Sequence, residues 1–311
     1  MFGKLISMEM SLRGNRTREF VGRLLRKVWP SFRLSSFLLN AGGNEQRIQV
    51  FGKWMYVDLW DSAVAMNLFV NRVWEPEETN VIVGLLHEGD VFVDIGANIG
   101  YFTLLASDAV GDTGKVFAFE PDPRNFRLLR KNVKANRCEN VWVEEKAITD
   151  AYKSLTLYLS NINFGDHRVY ASRDDAMYNH SLQRSHVQVE GITLDGYFPA
   201  GSRVNFVKMD IQGAEYFALQ GMKGVLRENH DVLCLMEFWP HGLLEAGASP
   251  PALLHELIQL GFILHRLDRG QATPVSVDEI LAVNEHDVLN LLLARKQIAS
   301  PAGVTRVASV P

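Results

Sequence analysis

The residues best placed to do chemistry lie where an apolar run meets two glycines. Val91-Phe92-Val93 passes into Asp94-Ile95-Gly96-Ala97-Asn98-Ile99-Gly100 and then into Tyr101-Phe102-Thr103, so a buried strand turns sharply and opens a helix. Gly96 permits the tight turn, and Gly100 permits close helix–strand contact or approach of a ligand. Asp94, at the end of the strand, is placed to accept hydrogen bonds from the turn or to orient a bound amino group. A dinucleotide fingerprint needs a middle glycine so that a pyrophosphate can reach the backbone, and here Ala97 and Asn98 stand instead. The turn therefore suits a nucleoside without phosphates better than NAD. S-adenosylmethionine, with its sulfonium and amino-acid tail, is such a nucleoside.

The next strand supplies a partner for this turn. Val116-Phe117-Ala118-Phe119 ends in Glu120, a carboxylate 20 residues beyond Gly100. At that separation an acid can accept hydrogen bonds from both ribose hydroxyls. The same acid tells against NADP, whose ribose phosphate it would repel. Alone, it would read as a surface carboxylate. An NAD-dependent oxidoreductase and a non-catalytic module that keeps the fold are the competing readings.

A second set of acids follows. Asp210 ends an apolar run, Gly213 lets the chain pass closely, Glu215 opens a helix, and Glu237 ends another strand. In a doubly wound sheet such groups collect outside the carboxyl ends of the strands. Asp210 is expected as a general base or substrate-orienting carboxylate, with Glu215 and Glu237 in support. Glu215 reads equally well as an acid complementing a helix N-terminus. Around Mg²⁺ the three acids are the alternative reading, but an octahedral shell has no signature in the sequence and no metal is assigned. His167, in a polar loop, and His241, after Phe238-Trp239-Pro240, are further base candidates, since histidine changes charge near neutrality. Each also reads as an exposed loop residue. The polar stretch 160–185 has the character of a substrate-covering insertion that sets acceptor choice.

The elements that must position these groups follow from periodicity. Strands are expected at 47–51, 54–59, 91–95, 115–120, 141–148, 155–159, 187–194, 204–210, 231–238, 262–267 and 288–294. Helices are expected from Pro76, over 101–110, 123–136 and 215–228, and from the Ser249-Pro250 cap to residue 260. Strands alternating with helices imply an α/β fold, with a mostly parallel sheet covered on both faces. The last two strands are expected to pair as an antiparallel edge.

Several motifs together resemble the FkbM-type methyltransferase family. They are Asp94 to Thr103, Phe119-Glu120-Pro121-Asp122-Pro123, Leu129-x-x-Asn132-x-x-x-Asn136, and Val207-Lys208-Met209-Asp210-Ile211-Gln212-Gly213-Ala214-Glu215 followed by Glu237. The resemblance spans residues 55–295, including Glu75-Pro76. It implies a class I, Rossmann-like sheet of seven strands and O-methylation of a hydroxyl on a small molecule, sugar or glycan. It also implies that Asp94, Gly96, Asn98, Gly100 and Glu120 line an S-adenosylmethionine site, with Ala97 in the same turn and Ala147 and Ile148 near the adenine. Gln212 departs from the pattern, which often has glutamate there.

Composition narrows the remainder. A net charge of -4 gives no general reason to expect a nucleic-acid partner. Cys138 and Cys234 form neither a disulfide framework nor a zinc pattern. No apolar run approaches the ~20 residues that span a bilayer, and the first residues lack a secretory pattern, so a cytoplasmic location is expected. Residues 1–45 form a basic extension in which Phe20, Val21, Leu24, Leu25, Val28 and Trp29 recur at helical spacing. Such a helix docks on the main domain or on an anionic membrane surface. Residues 46–296 are the expected methyltransferase domain, and 297–311 a disordered tail.

Overall fold

The computed structural model describes residues 44–172, 184–268 and 270–296. The chain divides into Met1–Gln46 and Arg47–Pro311. The amphipathic helix expected within residues 1–40, the tail 297–311, and residues 173–183 of the expected covering insertion lie outside the described residues.

Strands β1 (Glu45–Val50) and β2 (Lys53–Asp58) form a two-stranded sheet. Helices α1 (Val64–Asn71) and α2 (Pro76–Leu85) follow. Pro76 takes the first turn of α2, where its missing N–H costs nothing, and Glu77 and Glu78 complement the helix dipole there. The first half of the main sheet comprises β3 (Val91–Ile95), α3 (Tyr101–Val110), β4 (Lys115–Phe119), α4 (Pro123–Ala135) and β5 (Val141–Glu144). Asp122 caps α4 by accepting from the Asn125 backbone N–H. Strands β6 (Ala147–Ile148), β7 (Lys153–Leu159) and β8 (Ser185–Ile192) form a separate sheet in the order β6-β8-β7.

The second half begins with α5 (Leu194–Tyr197), β9 (Phe206–Met209), α6 (Glu215–Gln220), α7 (Lys223–Glu228) and β10 (Leu233–Phe238). It ends with α8 (Pro240–Glu245), α9 (Pro250–Gln259), β11 (Ile263–Asp268), β12 (Gln271–Pro274), α10 (Val277–Leu281) and β13 (Leu289–Ala294).

The main sheet runs β12-β11-β13-β10-β9-β3-β4-β5. Strands β5, β4, β3, β9 and β10 are parallel, and β13 enters antiparallel between β10 and β11. Strand order reverses between β3 and β9, so a crevice opens at their carboxyl ends. Both faces are covered. Phe92 and Phe206 pack together on one side, with ring centroids 5.5 Å apart, while Val93 and Val207 enter the core on the other. Among the described residues no helix is long and apolar enough to cross a membrane.

Four expectations need correction. The sheet has eight strands rather than seven, because β12 adds a short hairpin beside β11. The last two expected strands do pair antiparallel, but β13 sits inside the sheet rather than at its edge. The stretch 141–148 is two strands, since β6 leaves the main sheet to pair with β8. The helix expected over 215–228 breaks at Gly221, where a Cβ would lie 1.9 Å from the Thr149 carbonyl oxygen, and the chain stops to let β6 pass.

Candidate active site

A cavity of about 430 Å³ opens at the carboxyl ends of β3, β4, β9 and β10. Gly96, Ala97, Asn98, Glu120, Ala147, Ile148, His167, Asp210 and Glu237 border it, so the two sets of expected residues share one space. Asp94, Gly100 and Glu215 do not border it, and each has another task. Asp94 is fully buried below the turn and accepts from the Thr103 hydroxyl at 2.6 Å. Gly100 packs against Leu129, whose Cδ1 would lie 2.6 Å from an added Cβ. Glu215 is also fully buried and accepts from the backbone N–H groups of Ile211 and Gly213, holding the chain after β9. Burial pushes its carboxyl up to about 7.

The turn after β3 uses its own donors. Gly96 and Ala97 N–H both donate to the Phe119 carbonyl, each at 3.0 Å, and Gly100 N–H donates to Ala97. Asn98 N–H donates to Glu120 Oε2 at 2.7 Å, and Ile99 N–H to Asn98 Oδ1 at 2.7 Å. All five N–H groups are thus engaged within the protein. A phosphate cradle needs backbone N–H groups directed at the anion, so this turn is built for a ligand without one there. Asn98 adopts φ +51°, and its amide donates to the Phe164 carbonyl, tying the turn to the loop above it. Asn125 donates to the same carbonyl at 2.9 Å, and Phe164 N–H donates to Asp61.

Glu120 is 5% exposed, and each of its oxygens accepts one backbone N–H, from Asn98 and from Asp122. A carboxyl group has about four hydrogen-bonding positions, so each oxygen retains one. Burial pushes its carboxyl up to about 8.

The opposite end is a charge cluster. Lys208 lies in a strand whose four residues are all buried, and its Nζ is 3.5 Å from Asp210 Oδ2. Burial opposes its charge, but Asp210, Asp94, Glu75 and Glu237 outweigh that and raise its pKa. Gln212 donates to Asp210 Oδ1 at 2.8 Å and to Glu237 Oε1 at 2.9 Å, bridging the two acids. Tyr170 in turn donates to the Gln212 carbonyl at 2.9 Å. Burial and then Asp210 push Glu75 up to about 8 and Glu237 well above the usual carboxylate range. With Glu215 turned away and an amide between the other two acids, Asp210, Glu215 and Glu237 do not converge on a shared cation position.

His167 borders the cavity beside Phe164. Its Nδ1 accepts from Ser160 N–H at 3.0 Å, and its Nε2 is 3.8 Å from Asp122 Oδ1. Burial lowers its pKa, so the ring is neutral at pH 7 with its accepting nitrogen occupied. In that arrangement the ring ties the Ser160 backbone toward Asp122. His241 is not among the residues bordering the cavity.

Sequence reasoning missed Lys208 and Glu75 as members of the site. Lys208 carries a readable signal, since a charge inside an otherwise apolar, fully covered strand must meet opposite charges. Glu75 was part of the Glu75-Pro76 resemblance without a role, because only its left-handed backbone, with φ +41°, turns it toward the cavity.

A family model described as Methyltransferase FkbM domain matches residues 94–264, more than half of the chain. A curated protein named Methyltransferase 1, from Beauveria bassiana, is 32% identical over 145 residues, covering 42% of this chain and 57% of that protein. The chain thus spans little more than half the length of that relative. The solved structure of Methyltransferase FkbM from Methylobacillus flagellatus KT is 15% identical with a TM-score of 0.41, covering 70% of this chain and 50% of that one. M. jannaschii TYW2, solved in complex with AdoMet, is 13% identical with a TM-score of 0.41, covering 80% of this chain and 84% of that one.

Proposed function

The chain belongs to the FkbM methyltransferase family, and on that premise we propose that it transfers a methyl group from S-adenosylmethionine to a hydroxyl of a small molecule, sugar or glycan. Membership supports S-adenosylmethionine as the methyl donor. The choice of a hydroxyl is supported by the cavity. Within this reading residues 46–296 are the methyltransferase domain and the basic residues 1–45 a separate extension.

One observation carries the reading: a single cavity has a phosphate-free turn and Glu120 at one end and Asp210, Glu237 and Lys208 at the other. Strands β4 and β9 flank β3, so Glu120 and Asp210 leave the sheet two strand spacings apart, about 10 Å. The volume of about 430 Å³ lies within the ~300–1,000 Å³ range of small-molecule sites. The donor set also fits a nucleoside. Glu120 retains one hydrogen-bonding position on each oxygen for two ribose hydroxyls, and Ala147, Ile148 and Phe217 supply apolar wall for a base.

When bound, S-adenosylmethionine supplies a methyl already activated on a sulfonium. The chain's own residues must then align a nucleophile and take its proton. Alignment alone is worth effective molarities of roughly 10⁵–10⁸ M in favourable systems. Asp210, fixed by Lys208 and Gln212, is placed to orient an acceptor hydroxyl and to receive its proton, a contribution of roughly 10²–10⁴-fold. Burial raises the carboxyls of Glu75, to about 8, and of Glu237, so protons are held more tightly there than at an ordinary carboxylate. A polyhydroxyl acceptor meets both donors and acceptors there.

Two measurements test this. Calorimetric titration with S-adenosylhomocysteine and with NAD⁺ should show binding of the first; binding of NAD⁺ alone would overturn the cofactor. Labelled methyl transfer into cell extract should place the label on oxygen, and label recovered on nitrogen or carbon would overturn the hydroxyl.

A further inference from the structure

Outside the cavity, three side chains with metal-binding atoms meet at the carboxyl end of β10. His241 lies in the first turn of α8, directly after β10, and Glu285 and His286 lie in the turn that leads into β13. Antiparallel pairing of Phe238 with Leu289 brings these two segments together. Backbone contacts then set the distance. His241 N–H donates to the Glu285 carbonyl at 2.8 Å. His286 N–H donates to Asn284 Oδ1 and Asp287 N–H to the Asn284 carbonyl, each at 2.9 Å, closing the turn.

The side chains are correspondingly close. The two imidazole rings have centroids 4.5 Å apart, and His286 Nε2 is 3.6 Å from Glu285 Oε1. One ligand atom from each of the three residues lies within 4.8 Å of the others. Ligand atoms in a tetrahedral zinc shell stand about 3.3 Å apart, given bond lengths of ~2.0–2.1 Å. Rotation of the exposed Glu285 and His286 side chains covers the difference.

We propose that His241, Glu285 and His286 form a surface site for a divalent transition-metal ion, zinc by preference. Two imidazole nitrogens and one carboxylate are a donor set suited to zinc, and they are poor ligands for Mg²⁺ or Ca²⁺, which take oxygen. Glu285 and His286 are exposed, so a fourth position is open to water. The ion would clamp the turn before β13 to α8. That helix is part of the support for the active site, since Gly213, next to Gln212, sits where an added Cβ would be 2.5 Å from the Gly242 carbonyl. The proposal is independent of the methyl acceptor.

The test uses the untagged full-length chain, stripped with chelator, exchanged into chelator-free buffer and titrated calorimetrically with zinc chloride. One zinc per chain is expected, together with a rise in the thermal midpoint that saturates at the same stoichiometry. Cobalt(II) should give the visible absorption of a low-coordinate, nitrogen-ligated ion. His286 is 62% exposed in its side chain, so His286→Ala should fold normally while weakening zinc by at least ~100-fold. Glu285→Gln should weaken it by at least ~10-fold. His255→Ala, at an exposed histidine elsewhere, should change neither affinity nor stoichiometry. Zinc affinity unchanged in both His286→Ala and Glu285→Gln, or no zinc bound by the parent chain at micromolar concentrations, overturns the site.

Discussion

Gly96 and Asp210 end neighbouring parallel strands and touch through their backbones. A Cβ on Gly96 would lie 2.1 Å from the Asp210 carbonyl oxygen, and Gly96 holds φ +81°. The turn proposed to hold the methyl donor and the turn that carries the proposed base are therefore packed as one unit. Gly96→Ala must displace one of them, because the obstructing atom is backbone and cannot rotate away. Strain in the left-handed region adds to the clash. The variant should lose about 2–4 kcal/mol of stability and bind S-adenosylhomocysteine more weakly. An unchanged urea midpoint would mean that the two turns move independently.

Asn132 performs a different kind of joining. Its Oδ1 accepts from Tyr56 N–H at 2.6 Å, and its Nδ2 donates to the Tyr56 carbonyl at 3.2 Å and to the Ile99 carbonyl at 2.8 Å. One helical turn later Asn136 makes the same exchange with Trp54. Residues four apart on a helix face the same way, so two amides match two alternate residues of β2 as a neighbouring strand would. Asn132 is fully buried. Asn132→Ala leaves three backbone groups without partners and should cost about 2–4 kcal/mol, while Asn136→Ala, more exposed, should cost about 1 kcal/mol. Equal losses in chemical denaturation would contradict this ranking.

These two asparagines also mark how much was legible beforehand. The spacing Asn132-x-x-x-Asn136 was visible as a motif, yet its purpose depends on β2, far away in sequence. The bounds 91–95 and 101–110 coincide with β3 and α3, because apolar period and glycine punctuation agree there. Residues 141–148 did not resolve into two strands, since a strand's choice of sheet is made by its partners. Helices α1, α5, α8 and α10 have 4 to 8 residues, too few turns for periodicity to register. Within the site, Glu120, Asp210 and Glu237 were read from their places at strand ends. Asp94 and Glu215 were read the same way, but strand ends do not reveal which way a side chain turns.

Stability should fall as pH rises from 6.5 to 8.5. Glu120 and Glu215, both buried, titrate at about 8 and about 7 in the folded chain, against about 4.3 when unfolded. Between those values the folded protein holds protons that the unfolded chain has released. Their contribution is fully present below the unfolded pKa and is lost as pH rises through the folded one. His167 acts oppositely, because its lowered pKa costs stability only as pH drops below its ordinary value near ~6.5. Each carboxyl steepens the decline by no more than about 1.4 kcal/mol per pH unit. Glu215→Gln, which mimics the protonated acid outside the cavity, should flatten the curve. Urea denaturation at fixed pH values checks both, and a stability rising across that interval would refute the assignment.

Asp210→Asn separates chemistry from binding. The substitution keeps the shape of the side chain but removes its charge and one of its two acceptor oxygens, so an amide group must face either Lys208 or Gln212. Nothing on the Glu120 side of the cavity changes. Turnover should fall by roughly 10²–10⁴-fold, while affinity for S-adenosylhomocysteine stays within a few-fold of the parent. Lys208→Met provides the contrast. It leaves Asp210, Asp94, Glu75 and Glu237 without their shared buried cation, and breaking a buried pair by removing one partner costs about 3–5 kcal/mol. That variant should therefore lose stability as well as activity, whereas Asp210→Asn should lose far more activity than stability. If Asp210→Asn keeps full turnover, the proton goes to another group in the cavity wall, and the lysine's role reduces to holding the carboxylates folded.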